Sequence, residues 1–139
     1  MTGAVVVDNS VVMAWCFRDE GTAFTRAVLA AVAESRVFVP SIWPLEAGNT
    51  ILVAERRKRI EPEEVSGLLA MLEELPFQVE QEPPSRMLKE IFALARAHQL
   101  STYDATYLDL ALRRGIPLAT QDKSLHRAAA KCGVALFKP

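Results

Sequence analysis

Short apolar runs alternate with longer segments of helical periodicity along this chain, and that alternation restricts the folds open to it. Strands are predicted at residues 4–7, 37–39, 118–119 and 134–137, with a weaker edge strand at 77–80. Helices are predicted at residues 10–17, 20–34, 44–58, 62–75, 85–99, 103–113 and 123–131. Because strands separated by helices return to the sheet by crossovers, we expect an α/β fold with a central, mostly parallel sheet covered on both faces.

Length and composition fit one such domain. The chain has 139 residues, of which 50% are hydrophobic, and its formal net charge is −1. No repeat, low-complexity segment or linker divides it, so we expect a single domain over residues 1–139. The sequence lacks the pattern of a secretory signal, and its apolar runs are far shorter than the roughly 20 residues of a membrane span. We therefore expect a cytoplasmic protein that does not enter membranes.

Acidic residues recur where predicted strands end and predicted helices begin. Asp8 follows the first strand, and Asp122 follows the strand at residues 118–119. Glu46 and Asp104 fall in the first turns of two predicted helices. Ligands of open parallel sheets bind outside the carboxyl ends of the strands, so Asp8 and Asp122 are expected to share an edge. Four carboxylates from four separate segments can therefore meet there.

Two interpretations of these acids remain open from the residues alone. Each acid stands where helices favour one, either as an N-cap or near the positive end of the helix dipole. Capping explains each position separately but gives no reason for the acids to converge. If they do converge, like charges raise one another's pKa and oppose ionisation. A divalent cation relieves that repulsion, and hard oxygen ligands suit Mg²⁺ or Mn²⁺.

Four stretches of the sequence together resemble PIN-domain ribonucleases, and within that family the VapC toxins of bacterial toxin–antitoxin pairs. The stretches are VVVDNSVVMAWCFRDE, VPSIWPLEAGNTIL, TYDATYLDLALRRGIPLATQD and DKSL, which occur in the family's order. They contain a D-x-S start at Asp8, an E-x-x-N motif at Glu46, a Y-D-A-x-Y-L segment around Asp104 and a T-x-D-x-x-L ending around Asp122. The family's four acids thus fall on these positions, and none is missing.

This resemblance implies a three-layer αβα PIN-like domain and a Mg²⁺- or Mn²⁺-dependent endoribonuclease. It assigns the catalytic and metal-binding roles to Asp8, Glu46, Asp104 and Asp122. Supporting candidates, which would orient ligands or water, are Ser10, Asn49 and Thr120. For the two hydroxyl residues, local turn and helix-start hydrogen bonds are an equal alternative. The implied partners are an RNA substrate, a cognate small antitoxin protein and a second copy of the chain in a homodimer.

Other polar residues receive weaker interpretations. The basic run Arg56, Arg57, Lys58 and Arg59 is a candidate RNA-binding surface, with a solvated helix end as the equal alternative. His126 is interpreted as a solvent-facing histidine rather than as a catalytic one. Asp109, five residues after Asp104, projects from a different helix face and is expected to be solvated.

The predicted helix that begins at Pro62 carries an unusually apolar stripe. Its members are Val65, Leu68, Leu69, Leu72 and Leu75. The simplest interpretation is that the stripe packs into the core. The preceding helix adds Ile51 and Leu52, and we expect part of this helix pair to form a partner-binding surface, since large apolar patches rarely stay exposed.

Three other classes compete with a toxin ribonuclease. A PIN-type RNA-processing nuclease without an antitoxin would share the same acids. A Mg²⁺-binding signalling module of the receiver type requires paired acids after the first strand, whereas Asn9 follows Asp8. A haloacid-dehalogenase-like phosphatase requires D-x-D, and Ser10 occupies the place of the second acid. Nuclease assays with Mn²⁺ and with EDTA, alongside labelling by a phosphodonor, separate the nucleases from the other two classes.

Overall fold

A four-stranded parallel sheet forms the centre of the computed structural model, which describes residues 3–139. The strands are β1 (Gly3–Val7), β2 (Ser35–Pro40), β3 (Phe77–Glu80) and β4 (Leu118–Ala119), in the order β3-β2-β1-β4. In the parallel pairings, Val5 lies opposite Val37 and Val6 lies opposite Leu118. The predicted α/β fold is confirmed, and β3 occupies an edge of the sheet as the sequence indicated.

Helices fill the connections between the strands. They are α1 (Asn9–Cys16), α2 (Ala23–Val32), α3 (Trp43–Arg56), α4 (Pro62–Glu74), α5 (Pro84–Arg86), α6 (Phe92–His98), α7 (Thr102–Arg114) and α8 (Lys123–Cys132). A π-helical segment, Met87–Ile91, joins α5 to α6. Gly115 and Gly133 end α7 and α8 at φ angles of 62° and 74°, where a residue without a Cβ avoids strain. Among residues 3–139, none of the helices has the length and apolar character to cross a bilayer.

The first strand is completely buried over its last three residues. Val5, Val6 and Val7 are each 0% exposed, which is typical of a parallel strand covered on both faces. Burying each of these side chains contributes about 1.5–3 kcal/mol, so β1 is held firmly in register with its neighbours. Asp8 follows β1 directly, and its position at the carboxyl edge of the sheet is therefore fixed by the core.

Two predicted elements differ from those observed. Residues 134–137 make only one bridge, between Leu136 and Leu118, and not a strand. Because β4 is two residues long, Leu118 alone pairs with that segment. Its N–H donates to the carbonyl of Ala135 at 3.0 Å, and its carbonyl accepts from the N–H of Phe137 at 2.9 Å. The helix predicted at 20–34 is shorter: a 3-10 turn ends at Glu20, and α2 then begins with a capping box.

Asp109 is not solvated, so the expectation for this residue was wrong. Its side chain is only 9% exposed and accepts hydrogen bonds from Arg86 and from Arg113, the latter at 2.9 Å. Glu82 pairs with both arginines. The helix face that carries Asp109 is therefore covered by the segment around α5, and this ion-pair cluster ties that segment to α7.

The apolar stripe of α4 is divided between core and surface. The members that pack into or against the core are Val65, Leu68, Leu72 and Leu75. The simple interpretation as core is therefore confirmed for most of the stripe. Leu69 is 42% exposed, and Leu52 of α3 is 40% exposed. The helix pair also exposes Leu45, at 73%, and Met71, at 36%.

Candidate active site

Asp8 is both the N-cap of α1 and a residue of the sheet edge. Its backbone N–H donates to the carbonyl of Ala119 at 3.0 Å, which joins the end of β1 to the end of β4. Its side chain accepts from the Ser10 backbone at 3.3 Å and from the Ser10 hydroxyl at 2.9 Å. With 5% exposure, Asp8 is a buried carboxylate whose direction is fixed by the turn into α1.

Thr120 links two of the acids. Its hydroxyl donates to Oδ2 of Asp8 at 2.5 Å and accepts from the Asp122 backbone N–H at 3.0 Å. Asp122 then caps α8, since its Oδ1 accepts from the Leu125 N–H at 2.9 Å. The contact between Thr120 and Asp8 spans 112 residues of sequence, so this hydroxyl does more than stabilise a local turn. Asp8 and Asp122 share an edge, as predicted.

Glu46 is oriented by Tyr107, which belongs to the Y-D-A-x-Y-L segment but received no role from the sequence alone. Pro44 lies at the start of α3, and Glu46 follows in its first turn. The hydroxyl of Tyr107 donates to Oε1 of Glu46 at 2.6 Å, and Tyr107 is 0% exposed. Tyr107 lies three residues after Asp104, hence on the same face of α7. That spacing was the available signal, but a buried tyrosine also fits an ordinary core position.

Asp104 is half-buried in the first turn of α7. Its backbone N–H donates to the Ser101 hydroxyl at 3.0 Å, which makes Ser101 the cap of this helix. The capping role near Asp104 therefore belongs to another residue. The carboxylate of Asp104 remains available for contacts outside the helix.

The pKa values of Asp8, Glu46 and Asp104 are all raised, in part by neighbouring carboxylates. Burial raises the pKa of Asp8 despite its hydrogen bonds, and Asp122 adds to the rise. Burial also raises the pKa of Glu46, to which Asp8 and Asp104 contribute. The pKa of Asp104 is raised by burial, by Asp8 and by Asp122. These acids come from four separate elements and lie near enough for one carboxylate to affect the pKa of another, while two of them also serve as caps.

Each hydrogen-bonded carboxylate keeps an oxygen for a ligand. Among the hydrogen bonds of residues 3–139, Oδ2 of Asp8 accepts both hydroxyls, whereas Oδ1 accepts only one long backbone contact. Glu46 uses Oε1 for Tyr107, and Asp122 uses Oδ1 for Leu125. Over the same residues, no three acidic, histidine or cysteine side chains stand close enough to ligate one ion together. The site is thus an oriented set of carboxylates rather than a closed chelate.

The basic run lies away from these acids. Ten residues of α3 separate Glu46 from Arg56, a distance of roughly 15 Å along the helix. Arg59 pairs with Asp19 at 2.7 Å and with Glu20 at 2.8 Å, and its guanidinium covers the ring of Phe17. Arg59 is therefore engaged in contacts within the fold. All four residues of the run are exposed, and Arg59 differs from Arg56, Arg57 and Lys58 in these ion pairs.

Two further candidates flank the acids. Asn49 is exposed on α3, three residues after Glu46, as the helical spacing predicted. His126 is also exposed, but its Nε2 lies 2.7 Å from the carbonyl oxygen of Thr120. His126 is therefore solvent-facing, as expected, and its ring is in addition anchored to the end of β4.

Comparison with known proteins gives consistent matches. The PIN domain family model matches residues 5–131. Ribonuclease VapC3 of Pyrobaculum aerophilum is 28% identical over 121 residues, covering 87% of this chain and 91% of the relative. The crystal structure of PAE2754 from Pyrobaculum aerophilum has a TM-score of 0.69 at 25% identity, covering 92% of this chain and 86% of that one. The crystal structure of FitAcB from Neisseria gonorrhoeae, at 18% identity, has a TM-score of 0.68 with 97% coverage of both chains, a likeness of fold alone.

Proposed function

The chain belongs to the PIN-domain family, and from that premise we propose that it is a metal-dependent endoribonuclease that hydrolyses RNA phosphodiester bonds. The observation that carries the proposal is the convergence of four carboxylates at the carboxyl edge of the sheet: Asp8, Glu46, Asp104 and Asp122. A relative that covers most of the chain is itself called a ribonuclease, which supports this reaction class.

Mg²⁺ or Mn²⁺ fits the donor set, because all four side chains offer hard oxygen ligands. Asp8 and Asp104 would be the central ligands, with Glu46 and Asp122 completing the site directly or through water. The raised pKa values of Asp8, Glu46 and Asp104 are typical of carboxylates whose charge a bound cation would balance. A cation bound here would lower the pKa of a water and offset negative charge on the phosphoryl oxygens.

The surrounding residues hold the carboxylates in place. Ser10 and Thr120 both donate to one oxygen of Asp8, which directs the other oxygen towards a ligand. Tyr107 does the same for Glu46. Burial and the nearby carboxylate raise the pKa of Tyr107, so its hydroxyl stays protonated and remains a donor. Side chains locked in this way present their free oxygens without further loss of rotamer entropy.

We further propose that the ribonuclease is the toxin of a toxin–antitoxin pair. The VapC-like motifs and the name of the relative Ribonuclease VapC3 support this. Leu52 and Leu69 offer an apolar strip to an amphipathic antitoxin helix, and an arginine of the same antitoxin could pair with the acids. A homodimer would also cover exposed apolar surface. An RNA-processing role without an antitoxin would share the site but lack such a partner.

The nuclease proposal is tested by incubating purified protein with single-stranded RNA and mapping the new ends. Cleavage is expected with Mg²⁺ or Mn²⁺ and should stop when EDTA is added. If the protein is labelled by a phosphodonor and cleaves no RNA, it would instead be assigned to the signalling class. No cleavage of any RNA with either metal would contradict the proposal.

The toxin proposal has its own test. Tagged protein is captured from its native host, the co-purifying proteins are identified, and RNA cleavage is compared before and after their removal. A small partner that suppresses cleavage is expected. If a captured small protein leaves cleavage unchanged, the toxin role fails while the nuclease assignment stands.

A further inference from the structure

A cavity of about 380 Å³ opens between α2, β4 and the segment 134–138. Its walls are largely apolar and include the half-buried rings of Phe24 and Phe137. Polar groups reach it from Gln121, His126 and Lys138. The volume falls within the range of about 300–1,000 Å³ that is usual for small-ligand pockets. A few polar groups around apolar walls are the ordinary composition of a specific binding pocket.

The cavity lies next to the acidic site, with Thr120 between them. Thr120 lines it, and the hydroxyl of the same residue is 2.5 Å from Asp8. Gln121, another lining residue, directly precedes Asp122. A molecule in the cavity would therefore lie beside the group that is held at the acids.

The chemistry of the cavity favours a neutral, flat ligand. An anion inside it would face the carboxylates of Asp8 and Asp122 across Thr120, which opposes its binding. Aromatic rings offer faces for stacking, and the amide of Gln121 offers its N–H donors, while its oxygen accepts from the Thr22 hydroxyl at 3.3 Å. The bond from His126 Nε2 to the Thr120 carbonyl makes Nδ1 the acceptor of the neutral ring. A nucleobase has a stacking face and a hydrogen-bonding edge that match these groups.

We propose that this cavity binds an unpaired nucleobase of the RNA, next to the phosphodiester at the acids. The inference rests on the proposed ribonuclease function and adds a substrate class to it. A base can enter the cavity only when it is released from a duplex, so the enzyme selects single-stranded RNA. Lys138 lies at the cavity and pairs with a neighbouring backbone phosphate. The base that the cavity prefers sets the sequence preference of cleavage at this position.

The test combines a substitution in the wall of the cavity with the removal of single bases from the RNA. Short unstructured RNAs are made with the natural base or an abasic nucleotide at each position around the mapped cleavage site. For the unmodified protein, one abasic position should lower kcat/KM by about ten-fold, the scale of one base stacked on an aromatic side chain. In Phe137→Ala, that abasic substitution should have no further effect, because the ring that the base contacts is gone.

Two other variants keep the test independent of folding. Gln121→Ala changes an exposed side chain and should alter which base is preferred, without lowering stability. Val134→Ala shortens a buried residue of the same segment that faces another cavity, and it should keep the full abasic effect. An abasic effect of equal size in Phe137→Ala, Gln121→Ala and unmodified protein would overturn the proposal. If those variants instead lost an inhibitory protein partner, the cavity would belong to that partner.

Measurements of RNA binding test the cavity separately from the proposed ribonuclease activity. The affinities of the same RNAs are measured by fluorescence anisotropy with Asp104→Asn protein, which requires no hydrolysis. Base-dependent binding that Phe137→Ala abolishes supports the cavity, even if unmodified protein cleaves no RNA and the ribonuclease proposal fails. Cleavage without any base dependence in rate or binding overturns the cavity alone.

Discussion

The hydroxyl of Tyr107 offers a sharp perturbation of the acidic site. Tyr107→Phe keeps the buried ring and removes only the group that donates to Glu46 at 2.6 Å. Glu46 is half-buried, and this bond lowers its pKa against the rise caused by burial. Without the bond, the ionised form of Glu46 is less favourable and its free oxygen is no longer held in one direction.

The size of the effect follows from the strength of that bond. A hydrogen bond to a charged group contributes about 1.5–3 kcal/mol. Since 1.4 kcal/mol is about ten-fold in an equilibrium constant, the half-saturating metal concentration should rise by roughly 10- to 100-fold. The same range is typical for the loss of a residue that orients a metal ligand. The pH at which metal binds half-maximally should also move upward, because the pKa of Glu46 rises.

Mn²⁺ binding by isothermal titration calorimetry, combined with initial cleavage rates over a range of Mg²⁺ concentrations, measures this effect. Tyr103→Phe is the matched control, since it removes the same hydroxyl from the same helix at a side chain that is 58% exposed. The control should change the metal affinity by less than about three-fold, on the scale of an exposed group. Equal metal affinities for Tyr107→Phe and unmodified protein would refute the role of the hydroxyl.

Other perturbations test the electrostatics and the fold. In metal-free protein the pKa of Asp104 is raised, so ionisation of this residue disfavours the folded state. Asp104→Asn should therefore have a higher free energy of unfolding in urea than unmodified protein at about pH 8. The difference should shrink as the pH falls through the raised pKa of Asp104. A difference that grows on acidification would contradict this. Asp109→Ala should cost about 1.5–3 kcal/mol in the same urea assay, because it removes the buried carboxylate that accepts hydrogen bonds from Arg86 and Arg113. Asp19→Ala, at a 76% exposed carboxylate paired with Arg59, should cost only about 0–1 kcal/mol, and equal losses in the two variants would count against the cluster around Asp109.

The acids of the site were predictable because local rules place them. Asp8 and Asp122 follow strands whose apolar, β-branched character is plain in the sequence, and the carboxyl ends of parallel strands share one edge. Glu46 and Asp104 follow recognisable helix starts. Periodicity and capping signals thus predict which segment carries each acid and at which end of that segment the acid lies.

Contacts between distant segments were not predictable in the same way. Tyr107 and Glu46 are 61 residues apart, and the alternation of apolar residues assigns Tyr107 to the core without naming a partner for its hydroxyl. Helical spacing placed Asp109 on a different face from Asp104, but it did not reveal that Arg86 from another segment pairs with Asp109 on that face. Residues 134–137 have the composition of a strand, yet strand formation depends on the length of β4, which provides a single residue for pairing.

The most direct test of the central claim is RNA cleavage by Asp104→Asn at saturating Mg²⁺ or Mn²⁺. The substitution preserves size and helix while removing one charged ligand, so the variant should fold as the unmodified protein does. Its kcat/KM should fall by more than about 100-fold, beyond the loss expected for a residue that only orients a ligand. Lys131→Gln, an exposed change of charge on α8, should retain full activity under the same conditions. Near-normal cleavage by folded Asp104→Asn would contradict the account of these carboxylates as the catalytic site.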